Sequence, residues 1–228
     1  MKQMPTQQSN PIPAISQFLL SPQLLQNKLP TQQIEKILSC NGFLSVCGVD
    51  EAGRGAFAGP LVASAVILSD KSIPGLNDSK KLTSKKREFL ATEIKKHVRA
   101  WAVAQVEVDF INSCGIQKAS YTAYKKAISS LGVKTDFVLL DYYEIPNFFL
   151  PQLGVKFGDR ISESIAAASI IAKTHRDSFM KRISDQKPYR DYSFDRHKGY
   201  GTKQHRDAIY QYGLSPQHRL LYCKNCIR

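Results

Sequence analysis

From residue 45 onward, short apolar runs alternate with amphipathic stretches, whereas the first 33 residues sustain neither period. Brief apolar runs bounded by turn signals suit buried strands, and apolar positions recurring every three or four residues suit helices. Residues 45–50 and 61–68 predict two strands joined by a glycine-rich segment over 52–59, an antiparallel hairpin. Residues 101–108 predict a third strand. Between them Leu90, Ile94 and Val98 recur after Thr83 and Ser84, either of which can cap a helix over 84–98. Ile116, Ser120, Tyr124, Ile128 and Leu131 trace a second helix, which Gly132 ends before the apolar strand 136–141. Strand, helix, strand implies parallel pairing. Beyond Pro146 and Pro151, Ser162 and Glu163 open a long helix whose one face carries Ile165, Ser169, Ala172, Arg176, Phe179 and Ile183. Small residues over 166–169 permit close packing against a sheet. The expected class is α/β.

Residues 1–33 hold eight glutamines and five of the eleven prolines, around an apolar island over 14–20. Such a segment reads either as a poorly ordered tail or as a helical turn docking on the core. The expected organisation is a Gln/Pro-rich extension over 1–44, an α/β core over 45–185, and a basic, aromatic-rich region over 186–228. With 228 residues, 43% of them hydrophobic, the chain can bury one full core, which excludes a disordered tail or a miniature scaffold.

Charge then narrows the partners. Lys and Arg outnumber Asp and Glu by 32 to 19, for a net +13, and the last 58 residues hold 13 of the cations against 5 acids. Interleaved there are Tyr189, Tyr192, Phe194, Tyr200, Tyr210 and Tyr212. Solvated helix surface and nucleic-acid face both fit that composition. No apolar run approaches the roughly 18 to 20 residues of a membrane span, and no secretory signal opens the chain, so a cytoplasmic protein without membrane contact is expected. Five scattered cysteines argue for reduced thiols, with Cys47 and Cys114 in core segments. Cys223 and Cys226 with His218 lack the second ligand pair of a zinc site.

Four acids stand out. Asp50 and Glu51 end one apolar strand, Asp141 ends another, and Asp159 precedes the long helix. Ligands bind in the crevice outside the carboxyl ends of such strands, and oxygen ligands suit a divalent metal that assists phosphodiester cleavage. Gly53, Arg54 and Gly55 form a turn that lets backbone approach a phosphate; the loop over 75–82, with Lys80 and Lys81, offers another phosphate site. A tight turn and an ordinary loop explain these two segments equally well. Asp177 sits among Lys173, Arg176 and Lys181 and is expected in helix-face ion pairs. His197 and His205 are read as surface residues within reach of phosphate.

The order Gly48-Val49-Asp50-Glu51-Ala52-Gly53-Arg54-Gly55, then Gly75 to Leu82, Leu139-Leu140-Asp141, Lys156-Phe157-Gly158-Asp159, the run over 164–177, and His197-Lys198-Gly199-Tyr200 resembles bacterial ribonuclease HII over residues 45–219. The resemblance implies a ribonuclease H-like mixed sheet flanked by helices, with a helical C-terminal subdomain. It implies endonucleolytic cleavage of the RNA strand of RNA–DNA hybrids and nicking of duplex DNA on the 5′ side of embedded ribonucleotides, leaving 3′-hydroxyl and 5′-phosphate ends. Asp50, Glu51, Asp141 and Asp159 would be the catalytic and metal-binding quartet, with Mn²⁺ or Mg²⁺ as cofactor. Gly53, Arg54 and Gly55 would read the 2′-hydroxyl, Tyr200 would pack on the next deoxyribose, and Lys80 and Lys81 would contact phosphate. A monomer is expected, with a sliding clamp as a candidate partner. Tyr142 departs from the family, which usually has Gly after the third acid. Gly-Arg-Gly, against the Gly-Thr-Gly of the sister ribonuclease HIII, favours HII. The rival readings are a non-catalytic nucleic-acid-binding module, which divalent-metal uptake would exclude, and another nuclease on the same core, which a 2′-hydroxyl requirement would exclude.

Overall fold

The computed structural model describes residues 12–19, 29–70, 73–77, 79 and 82–226. Five strands form one mixed sheet in the order β3-β2-β1-β4-β5: β1 (Val46–Ala52), β2 (Leu61–Ile67), β3 (Ala100–Val106), β4 (Phe137–Asp141) and β5 (Gln152–Val155). Helices α1 (Ile12–Leu19) and α2 (Gln33–Cys40) precede the sheet, α3 (Ser84–His97) follows β2, and α4 (Val108–Cys114) and α5 (Ile116–Ser129) separate β3 from β4. The long α6 (Glu163–Ser184) leads to three short helices, α7 (Phe194–His197), α8 (Lys203–Tyr212) and α9 (Leu220–Cys223).

The expected hairpin is present, with Cys47 opposite Ile67 and Ala52 opposite Val62. The strand after the second helix pairs in parallel with β1 rather than with β3. Two antiparallel steps separate β3 from β1, so β3 and β4 run the same way without touching. Alternation along β1 assigns its residues to two layers. Cys47 and Val49 join Ala63, Ala65, Ala102 and Ala104 against Ala119, Ala123, Tyr124 and Ala127 of α5. Gly48 faces α6 on the other side, where a Cβ would lie 2.2 Å from the Ser164 backbone. With no side chain there, the first turn of α6 rests directly on β1, and Ala166, Ala167 and Ala168 are fully buried. That close approach sets Ser169, Lys173 and Arg176 above the carboxyl end of β1. Thr83 is the α3 cap, its Oγ1 accepting the Lys86 N–H at 3.3 Å.

Other expectations change or are resolved. The third strand ends at Val106, because Val108 already belongs to α4, and Gly115 (φ +80°) separates α4 from α5. Three elements, α2, α4 and β5, appear where none was expected. The described part of the N-terminal segment docks: Ile15, Phe18, Ile34 and Leu38 are buried in one cluster with Phe43, Val46, Phe137, Leu139, Val155 and Ile165. Among the described residues no helix is long and apolar enough to cross a membrane.

Candidate active site

β1 and β4 are parallel neighbours, so their carboxyl ends deliver Asp50, Glu51 and Asp141 to one edge. Consecutive strand residues project to opposite faces. Asp50 turns toward Ser169 of α6, while Glu51 accepts a hydrogen bond from the Tyr124 hydroxyl of α5. Asp141 Oδ1 accepts the Gly158 N–H at 2.7 Å, which ties β4 to the 3₁₀ turn Gly158–Arg160 that carries Asp159. A cleft of about 250 Å³ is lined by Asp50, Glu51 and Asp141 together with Gly53, Arg54, Gly55, Lys173 and Tyr200. Asp159, 2% exposed, does not line it.

Asp50 is only 6% exposed. Burial, then the Glu51 and Asp141 carboxylates, push its carboxyl well above the usual range, against the Ser169 hydroxyl and its own bond from the Glu51 N–H at 2.7 Å. A hard divalent cation relieves such crowding, and carboxylate oxygen is the donor that Mg²⁺ and Mn²⁺ prefer. The residues therefore fit a metal. In the arrangement as it stands, no group of three or more His, Cys, Asp or Glu among the described residues is placed to hold an ion. Glu51 is engaged by Tyr124 and by Arg54, whose Nη1 lies 3.8 Å from Glu51 Oε1.

The turn that follows β1 is braced from behind. Gly53 has φ +92°, and a Cβ there would meet Arg176 at 2.0 Å, so only glycine fits; at Gly55 a Cβ would meet nothing within 4 Å. The Arg54 side chain reaches Gln117 and Ser120 of α5 and lies over the Tyr143 ring. Behind the turn lie Arg176 and Arg219, both fully buried. Arg176 donates to the carbonyls of Ala58, Pro60 and Lys198 at 2.9–3.0 Å. The Gly199 carbonyl accepts the N–H groups of Phe57 and Ala58, so the turn and the Tyr200 segment form one unit. Lys173 and Arg176 both stand 5.2 Å from the Tyr200 ring centre.

His197, His205 and His218 are buried, which corrects the expectation that His197 and His205 are surface residues. The Ser215 N–H donates to His218 Nδ1 at 2.8 Å, which leaves the His218 Nε2 proton for His205 Nε2 at 3.1 Å and the His205 Nδ1 proton for the Tyr200 carbonyl at 3.0 Å. Burial pushes His205 and His218 down to about 4, so both are neutral, as this single-proton relay requires. Asp177 makes the expected helix-face pair with Lys173 at 2.6 Å, and pairs besides with Arg87 of α3 at 3.7 Å. Arg87 also donates to the carbonyls of Ser79 and Leu82; Lys80 and Lys81 lie outside the described residues. Cys47 and Cys223 are buried, and Cys114 is half-buried. Sequence reasoning passed over Arg219, Tyr124 and the histidine relay. The signal for Arg219 was a cation directly beside His218 near the end of the basic C-terminal region.

Acids at the mouth of two parallel strands, in one cleft with cations and an aromatic ring, belong to the class of metal-dependent nucleases built on a ribonuclease H-type sheet. The comparisons with known proteins agree. A family model described as Ribonuclease HII matches residues 47–225. The ribonuclease HII of Caldicellulosiruptor bescii is 46% identical over 196 residues, covering 86% of this chain and 94% of its own length. Among solved structures, the Archaeoglobus fulgidus RNase HII in complex with PCNA superposes with a TM-score of 0.67 at 26% identity, over 79% of this chain and 96% of that one. Bst-RNase HIII in complex with Mn²⁺ shares the fold, with a TM-score of 0.62 at 19% identity, over 81% of this chain and 70% of its own. The chain belongs to the ribonuclease HII family, and it is accordingly a metal-dependent endoribonuclease that acts on RNA–DNA hybrids.

Proposed function

We propose that this ribonuclease nicks duplex DNA on the 5′ side of an embedded ribonucleotide, besides hydrolysing the RNA strand of hybrids, and leaves 3′-hydroxyl and 5′-phosphate ends. The observation that carries this reading is the shared cleft, which Asp50 and Asp141 line together with Gly53, Gly55 and Tyr200. Asp50, Glu51, Asp141 and Asp159 would hold the divalent metal, Mn²⁺ or Mg²⁺, which when bound neutralises phosphate charge and acidifies water. Gly53 and Gly55 bring backbone to the ribose at a distance no side chain would allow, and Arg54 sits beside the 2′-hydroxyl, the group that separates RNA from DNA. Tyr200 packs its ring on the following deoxyribose, with Lys173 beside it for the phosphate. Lys80 and Lys81 extend the phosphate contacts. The enzyme works as a cytoplasmic monomer on this reading, and the PCNA complex of the Archaeoglobus fulgidus relative supports a sliding clamp as partner.

The test is a labelled DNA duplex with one ribonucleotide, run beside an all-DNA duplex and the Asp141→Asn variant, with Mg²⁺, Mn²⁺ or chelator. A metal-dependent nick immediately 5′ of the ribonucleotide, absent from both controls, is expected. Cleavage of the all-DNA duplex, or a cut displaced from the ribonucleotide, would overturn the reading.

A further inference from the structure

The Gly53–Arg54–Gly55 turn is held by the C-terminal segment. Arg219, fully buried, donates from Nη1 to the carbonyls of Gly53 at 2.7 Å and Arg54 at 3.0 Å, and from Nε and Nη2 to Gly59 at 3.0 and 2.8 Å. The Tyr222 hydroxyl donates to the same Arg54 carbonyl at 3.0 Å. The Arg219 N–H bonds Phe57, which fixes the segment along the whole turn. A trans peptide is planar, with its C=O and N–H pointing opposite ways. If the Gly53 and Arg54 carbonyls point back into the guanidinium, the N–H groups of Arg54 and Gly55 point forward, toward the side on which these residues line the acid cleft.

We infer that Arg219 and Tyr222 are positioning residues for ribose recognition. They hold two peptide planes so that the Arg54 and Gly55 amides are presented to the sugar of the scissile nucleotide. This rests on the reading that the turn recognises the ribose. A guanidinium is suited to the task because its fixed fork serves several carbonyls at once, which an ammonium cannot do in one geometry. The turn therefore stays rigid although its two glycines favour many conformations.

The experiment compares wild type, Tyr222→Phe, Arg219→Lys and Arg219→Ala on duplexes with a single ribonucleotide or its 2′-fluoro-2′-deoxy analogue, recording kcat, KM and melting temperature. Tyr222→Phe removes one hydrogen bond and should melt with wild type, so it decides the matter even if the arginine variants unfold. Its kcat on the ribonucleotide should fall about threefold to tenfold with KM nearly unchanged, because misplaced donors cost the transition state more than duplex binding. The preference for ribose over the fluoro analogue should shrink in parallel. Arg219→Lys should fall further, and Arg219→Ala furthest. Wild-type kcat and wild-type preference in Tyr222→Phe, or in any arginine variant that stays folded, would overturn the positioning role. Failure of the wild-type enzyme to prefer ribose would instead overturn ribose reading by the turn.

Discussion

Two residues, Asp50 in the cleft and Tyr142 next in sequence to the cleft acid Asp141, carry a cost in stability. Tyr142 follows Asp141 with φ +71° and is 47% exposed, so a bulky side chain occupies left-handed backbone without the compensation of burial. Its ring lies 4.5 Å from the Tyr143 ring between centres. Tyr142→Gly should therefore stabilise the protein by about 0.5–1 kcal/mol, measured by the denaturant midpoint, since glycine adopts this backbone freely. Asp50 is a buried acid pressed by two like charges. Asp50→Asn keeps the shape and removes the charge, so it should abolish cleavage while raising the metal-free melting temperature. Loss of activity with lower stability would mean that the carboxylate holds the fold together, contrary to its surroundings.

At the scale of elements, the N-terminal segment is part of the core, and Glu35 shows how it is joined. Its Oε1 accepts from Ser162 Oγ at 2.6 Å and from the Ser164 N–H and Oγ at 3.0 and 2.7 Å, so α2 caps the first turn of α6. Glu35 Oε2 is buried without a hydrogen-bond partner, and burial raises this carboxyl above its usual range. Glu35→Gln keeps an acceptor for the cap and drops the buried charge, so at neutral pH it should be neutral or stabilising; Glu35→Ala should cost about 1–2 kcal/mol in chemical denaturation. The histidine relay gives a second element-scale expectation. His205 and His218 have folded values near 4 against an ordinary value of 6.5, so the unfolded chain takes up protons first as pH drops. Their penalty is absent above about pH 6.5 and grows until pH 4. Melting temperature should decline across that window, and His218→Gln should flatten the decline. Long periodic elements such as α3 and α6 were legible because their caps and faces are local signals. α2 was hidden among glutamines and prolines, and β5 is four residues long, with burial supplied by distant partners.

For the whole molecule, the acid site was legible because Asp50 and Asp141 close apolar strands, whereas Tyr124 and Arg219 act through contacts 73 and 166 residues apart in sequence, where no local pattern records them; the relay joins residues only 3 to 13 apart, but its bonds depend on burial that the sequence does not display. The sequence likewise left open whether the C-terminal charge is solvated surface or substrate face. The fold bears on that question: α6 and the segment after α7 bring Lys173 and Tyr200 into the cleft that the acids line. With 13 cations against 5 acids in the last 58 residues, duplex binding should be carried mainly by phosphate contacts and counterion release. The Asp50→Asn variant isolates that binding from cleavage. Its affinity for an RNA–DNA hybrid, measured by fluorescence anisotropy, should fall linearly on a log–log plot against salt, and neutralising Lys173 should reduce the slope by about 1. Affinity for an all-DNA duplex of equal length should show nearly the same slope, because phosphate charge is common to both. A hybrid slope much steeper than the all-DNA slope would mean that ribose recognition recruits additional cations, and it would move part of the specificity from the Gly53–Gly55 turn to those cations.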